Sequence, residues 1–194
     1  METALNAVWD AAAGPADRIA VVGGGVVGML VAFLCGHLPG AEVTLVDINV
    51  GRESIANSLG VKFATPDQAP SECDVVIHCS GSPKGLVTAL SLAGEEATVL
   101  EMSWYGDQPV TVDLGGAFHS RQLRLQSSQV GHISASRRPR WNYARRLSAA
   151  LALLNDARLD VLLAPAVLFN DLPAQLPRIL DPGNSILCQL IQYD

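Results

Sequence analysis

Residues 17–28, Asp-Arg-Ile-Ala-Val-Val-Gly-Gly-Gly-Val-Val-Gly, join a short apolar run to a glycine-rich turn, and the chain continues as an apolar helical stretch to Leu38. A second apolar run, Val43 to Val46, ends on Asp47. Few backbones satisfy this order, and the simplest is a strand, a tight turn, a buried helix and a parallel second strand. Gly23 permits the turn out of the strand, Gly25 lets the backbone approach a bound group, and Gly28 lets the helix pack closely on the sheet. Val26 and Val27 fall at the helix start, where free N–H groups and the positive dipole end favour phosphate. Asp47 lies about 20 residues past the glycines, where a carboxylate can accept hydrogen bonds from an adenosine ribose. A 2′-phosphate there would meet like charge, so NAD is expected over NADP. An unliganded structural turn is the alternative, because glycine-rich turns occur in many α/β proteins.

The alternation continues along the chain. Helical spacing is expected over residues 2–12, a strand over Arg18–Val22, a helix over Gly28–Leu38, and a strand over Val43–Val46. Next come a polar-faced helix over Gly51–Leu59, a short strand over Val61–Ala64 and a strand over Cys73–Cys79. A helix over Leu86–Leu92 and a strand over Ala97–Met102 follow. Strands and helices at this rhythm imply an α/β, Rossmann doubly wound parallel sheet, with ligands at the carboxyl ends of the strands. Beyond it, a strand over Leu123–Val130, a helix over Arg140–Leu154, an apolar stretch over Val161–Leu168 broken by Pro165, a helix over Asp171–Leu180, a turn over Asp181–Asn184 and a strand over Ser185–Ile191 are expected. The division is a Rossmann domain over residues 1–131 and a short C-terminal α/β appendage over residues 132–194.

Composition excludes several classes. Apolar residues make up 49% of the 194 and charged ones 16%, so general disorder is excluded. The net charge of −6 argues against nucleic acid as a partner. The basic run Arg137-Arg-Pro-Arg140 reads as the solvated start of a helix. No apolar run approaches the roughly 20 residues of a membrane span, and Met1-Glu-Thr-Ala-Leu-Asn6 lacks a signal-peptide pattern, so no membrane partner and a cytoplasmic location are expected. Cys35, Cys73, Cys79 and Cys188 form no CxxC pair and read as small core residues.

Short-chain dehydrogenases need a Tyr with a Lys one helical turn later. The only lysines, Lys62 and Lys84, follow Ser58 and Ser80 at that spacing, so an active enzyme of that class is excluded. Methyltransferases that bind S-adenosylmethionine usually carry an acid just before the glycines, where this chain has Val21-Val22.

The opening Met1-Glu-Thr-Ala-Leu-Asn-Ala-Val-Trp9, the glycine turn, Val46-Asp-Ile-Asn-Val-Gly-Arg52 and Leu59-Gly60 together resemble the medium-chain dehydrogenase/reductase family, the zinc-type alcohol dehydrogenase-like proteins. The likeness covers essentially the whole chain, with its specific motifs in the first hundred or so residues. It implies that Asp47, with Ile48 beside it and Arg52 further on, binds the adenosine ribose. It also implies that Ser80, Gly81, Ser103 and Trp104 approach the nicotinamide half. For Trp104 and Tyr105, ordinary aromatic packing at a domain surface is the alternative. The dinucleotide-binding candidates are thus Gly23, Gly25, Val26, Val27, Gly28, Asp47, Ile48, Arg52, Ser80, Gly81, Ser103 and Trp104.

Family members begin with a GroES-like catalytic domain that carries the zinc ligands and substrate pocket, and the helix resembling Thr3–Trp9 follows it. This chain therefore resembles the coenzyme-binding half, with residues from 132 like the segment that packs back on the catalytic domain. A misassigned start, a fragment and a truncated gene all remain open. Zinc is not expected: Cys35 and His37 fall on different faces of a helix, and His78 and Cys79 on opposite faces of a strand. His78 reads as a core or strand-end histidine, and His119 and His132 lack a partner acid placed by spacing. The expectation is the NAD(H)-binding portion of an alcohol dehydrogenase-like oxidoreductase, incomplete as a catalyst alone, with no catalytic residue assigned. A non-catalytic nucleotide-binding module, either a redox sensor or a truncated remnant, is the alternative. The resemblance further implies a homodimer through strand 123–130, against a solvated edge guarded by Arg121 and Arg124.

Overall fold

The computed structural model describes residues 1–181 and 183–193. The elements, in chain order, are α1 (Glu2–Asp10), β1 (Arg18–Val22), α2 (Val26–Gly36), β2 (Glu42–Val46), α3 (Glu53–Ser58), β3 (Lys62–Ala64), β4 (Cys73–His78), α4 (Pro83–Leu92), β5 (Ala93–Glu101), α5 (Ala117–Ser120), β6 (Arg124–Ser127), α6 (Tyr143–Leu153), β7 (Leu163–Leu168), α7 (Leu172–Ile179) and β8 (Cys188–Gln192). The expected turn over 181–184 includes Pro182, which lies outside the described residues.

Six strands form one parallel sheet in the order β3-β2-β1-β4-β5-β6, and β7 and β8 pair in parallel as a second, two-stranded sheet. The chain winds outward from β1 to β3, then returns to place β4 beside β1. That reversal makes the crevice between β1 and β4 the place where an open α/β sheet binds ligands. The expected α/β, doubly wound Rossmann architecture is what the structure shows.

Each central strand is buried on both faces, which explains why its sequence reads as an unbroken apolar run. Ile19 and Val21 of β1 join Val43 and Leu45 in the core beneath α1, α2 and α3, while Ala20 and Val22 join Val46, Leu86 and Ala89 on the α4 side. The period of two thus feeds two cores from one strand. Helix α2 sits with Met29, Leu30, Val31, Ala32 and Phe33 all buried, as an all-round apolar helix must. Among the described residues, no helix is long and apolar enough to cross a membrane.

Four elements depart from the sequence expectations. Strand β5 starts at Ala93, earlier than expected, and pairs with β4 through Ala93 before its register breaks and resumes at Thr98. The exposed Glu95 and Glu96 occupy that break, and their charges make the segment read as loop. Strand β6 is shorter than 123–130, because beyond Ser127 the chain leaves the sheet and Ser128 Oγ donates to Asp10. Pro165 does not break the apolar stretch. It lies inside β7 where the pairing with β8 shifts register, a position that spares it a ladder hydrogen bond. The basic run is solvated as expected, with Arg137 lying over Trp9, but α6 begins only at Tyr143, capped by Asn142.

One buried cation ties the C-terminal residues to the start of the chain. Arg146 of α6 is 3% exposed and donates to Glu2 at 2.8 Å, to Asn6 at 2.8 Å and to the Val130 carbonyl at 2.6 Å. Arg146→Met would leave these acceptors without their donor. We expect it to lower stability by about 2 kcal/mol, read as a lower urea midpoint; an unchanged midpoint would show that α6 is held by its apolar contacts alone.

Candidate functional site

At the carboxyl ends of β1, β2 and β4, a cleft of about 400 Å³ opens between the N-termini of α2 and α4. The turn from β1 forms its floor. Gly23 has φ of +113°, and a Cβ there would stand 2.7 Å from the backbone of Ser80. Gly28 is tighter still, since its Cβ would lie 1.8 Å from the Gly23 carbonyl oxygen. Gly25 differs, because nothing lies within 4 Å of where its Cβ would be. That open space faces the N-terminus of α2, which no side chain caps. The first N–H groups of an uncapped helix seek an acceptor, and an anion is the natural one.

Asp47 stands at the end of β2 and is positioned by two backbone donors, Gly24 N–H to Oδ2 at 2.5 Å and Asn49 N–H to Oδ1 at 2.7 Å. The carboxylate is therefore fixed rather than swinging, and each oxygen keeps acceptor capacity for a ligand hydroxyl. Arg52 lines the same cleft, but its guanidinium donates to the Ser185 carbonyl at 2.7 Å. It thereby ties the cleft wall to the C-terminal residues.

The structure brings Gly23, Gly25, Asp47, Ile48, Arg52 and Ser80 together around the cleft. Val26 and Val27 open α2, with Val26 partly packed on the core and Val27 exposed. Gly28 serves packing. Gly81 and Ser103 stand at the neighbouring strand ends, where the Gly81 N–H donates to Ser103 Oγ at 3.0 Å. Trp104 is 91% exposed and does not line the cleft, so packing within this chain does not account for it. Asn49 and Ser82, in loops at the carboxyl ends of the strands, also line the cleft, as do Pro66, Lys84 and Thr88, which carry no signal in the sequence.

Beside the cleft lies a polar cluster that spacing could not assemble. His78, at the end of β4, is 0% exposed, with Nδ1 at 2.8 Å from Glu101 Oε2 and Nε2 at 2.6 Å from Ser80 Oγ. Glu101 also accepts from the Ser103 N–H at 2.6 Å and from the Tyr105 hydroxyl at 3.0 Å. Burial opposes its charge, but the hydrogen bonds from His78 and Ser103 outweigh that and hold Glu101 below the usual carboxylate range. Tyr105 is pushed up to about 12 by burial and by the nearby Glu101 charge, so it stays a donor. His78 is the strand-end histidine expected from the sequence. Its acid was missed because Glu101 meets it across the β4–β5 register, 23 residues later.

Burial pushes the thiols of Cys35 and Cys73 up to about 12 and about 11, in keeping with inert core residues. Among the described residues there is no group of three or more His, Cys, Asp or Glu side chains that could hold a metal ion. A larger concavity, about 690 Å³, lies against β7, β8 and α7. It lacks the glycine turn and a carboxylate held by backbone donors, so the chemistry favours the smaller cleft.

The fold recurs in solved structures. Alcohol dehydrogenase TADH from Thermus sp. ATN1 matches with a TM-score of 0.78 at 18% identity, over 100% of this chain and 57% of that one. A protein from Sinorhizobium meliloti 1021 bound to NADP matches with a TM-score of 0.78 at 18% identity, over 98% and 56%. An alcohol dehydrogenase from Escherichia coli CFT073 complexed with NADH matches with a TM-score of 0.73 at 18% identity, over 98% and 56%. The chain shares its fold with these dehydrogenase structures. It spans little more than half the length of each of them. No family model matches the sequence.

The glycines separate stability from binding. Gly28→Ala drives a methyl into the Gly23 carbonyl and should cost about 3 kcal/mol, although Gly to Ala ordinarily helps a helix. Gly25→Ala has room and should leave the urea midpoint within about 0.5 kcal/mol of the starting protein. Equal midpoints for the two variants would contradict the packing described.

Proposed function

We propose that this chain is the nucleotide-binding portion of an alcohol dehydrogenase-like oxidoreductase and that it holds NAD(H) in the cleft between α2 and α4. The observation that carries the reading is the open space at Gly25 in front of the uncapped N-terminus of α2, with the fixed Asp47 carboxylate beside it. Amide donors suit a pyrophosphate, and a carboxylate suits a ribose diol. NAD is favoured over NADP because Asp47 would repel a 2′-phosphate, while the one arginine in the cleft wall is engaged with Ser185.

When bound, the nicotinamide supplies hydride chemistry at a carbon of an alcohol or carbonyl substrate. This chain's own residues bind and orient: α2 by its amides, Asp47 by its carboxylate, and Ile48, Ser80, Gly81 and Ser103 by flanking the two ends. Residues 132–194 are the part that packs against the remaining half of such a dehydrogenase. The exposed Phe169, Leu180, Leu190 and Ile191 on and beside the β7–β8 pair support that role. Copies of the chain pair through β6, whose four residues are all exposed at the sheet edge; light scattering should then report a dimer, and a monomer at all concentrations would remove it.

Fluorescence titration should show saturable NADH binding. Gly25→Val should abolish it by filling the space meant for the pyrophosphate. Asp47→Ser should lower NADH affinity about tenfold and leave NADPH affinity equal or improved, since a charged hydrogen bond is worth roughly 1.5 kcal/mol or more. An unchanged preference between the two cofactors would take Asp47 out of the site.

A further inference from the structure

Ser80 lines the cleft, and the His78 and Glu101 side chains stand behind it in one hydrogen-bonded row. Glu101 is acceptor-only as a carboxylate, and three donors converge on it: His78 Nδ1, the Ser103 amide and the Tyr105 hydroxyl. Glu101 therefore draws a proton to Nδ1, and in the neutral imidazole Nε2 presents a lone pair. Ser80 Oγ lies 2.6 Å from Nε2, so toward a neutral His78 the Ser80 hydroxyl donates inward. Of the two lone pairs on Ser80 Oγ, one takes the Ser82 N–H at 3.2 Å and the other remains. Ser80 is exposed and lines the cleft. Gly85 keeps the pair dry: a Cβ there would stand 2.1 Å from Ser80 Oγ and 2.6 Å from His78 Nε2, so α4 closes its backbone over them.

We propose that His78 is neutral in its pair with Glu101 and so fixes Ser80 as a hydrogen-bond acceptor that takes a ribose hydroxyl of the bound dinucleotide. The proposal rests on the dinucleotide reading of the cleft and adds a polarity to it. Ser80 N and Cα lie against Gly23, beside the turn that faces the pyrophosphate. The groups that flank a pyrophosphate in a dinucleotide are its two riboses, whose hydroxyls can donate. Phosphate oxygens cannot, and an oriented acceptor turns them toward the α2 amides instead. Ser80 is the contact residue, and His78 is a positioning residue that acts through it.

The variants Ser80→Ala and His78→Asn separate positioning from support. Asn keeps a side-chain amide near Nδ1 for Glu101 but presents nothing at Nε2 for Ser80. Each variant should weaken NADH binding about tenfold, with the double variant no weaker than either single one. ADP-ribose, which keeps both riboses and lacks the nicotinamide, should show the same loss. In ¹⁵N-labelled protein without ligand, His78 should carry its proton on Nδ1. Starting-protein affinity in His78→Asn, additive effects in the double variant, a loss confined to NADH, an Nε2–H tautomer or an imidazolium protonated at both nitrogens would each overturn the proposal while leaving NADH binding standing. Absence of saturable binding by the unaltered chain would instead overturn the dinucleotide reading and this proposal with it.

Discussion

Two glycines hold the exit of β1 so close to its surroundings that no side chain fits at either. A methyl on Gly28 would enter the Gly23 carbonyl, and a methyl on Gly23 would enter the Ser80 backbone. The first contact draws α2 down onto the sheet and aims its N-terminus at the crevice. The second seats the exit of β1 against the exit of β4, its neighbour across the topological reversal. Cleft, cradle and polar cluster all follow from those approaches, because they set how near the α2 and α4 N-termini come to one another.

The cleft that results has a consistent polarity. Donors gather at the uncapped amides of α2, and oriented acceptors flank them, Asp47 at the end of β2 and Ser80 after β4. A molecule with an anionic centre and hydroxyls on either side fits that order. Behind the wall, the hydrogen bond from Arg52 to Ser185 and the buried Arg146 network bind the C-terminal residues to the Rossmann sheet. The second sheet is carried on the first by these polar contacts together with Leu159, Leu162 and Leu187, which pack on the main core, while Leu163, Leu168, Leu190 and Ile191 remain exposed.

Much of this was legible in the residues. The unbroken apolar runs of β1, β2 and β4 identify strands buried on both faces, and the glycine spacing identifies the turn between β1 and α2. Asp47 could be assigned because it ends the strand that follows directly. Elements whose form depends on distant partners were less legible. The early start of β5 hides behind Glu95 and Glu96, and the end of β6 is decided by a hydrogen bond to Asp10. His78 and Glu101 are brought together by strand register alone, which no local spacing encodes. Gly85 was the available hint, a glycine in the first turn of a helix whose neighbours leave no room for a methyl. Trp104, placed at a strand end by the sequence pattern, stands exposed and off the cleft wall.

The most direct test of where the dinucleotide sits is the change in backbone amide NMR shifts when NADH is added to the ¹⁵N-labelled chain. The account predicts the largest shifts at Gly24, Gly25, Val26 and Val27, with smaller ones at Ile48 and Ser80 and none on β7 or β8. Shifts concentrated on the β7–β8 sheet, with the glycine-turn amides unmoved, would contradict it.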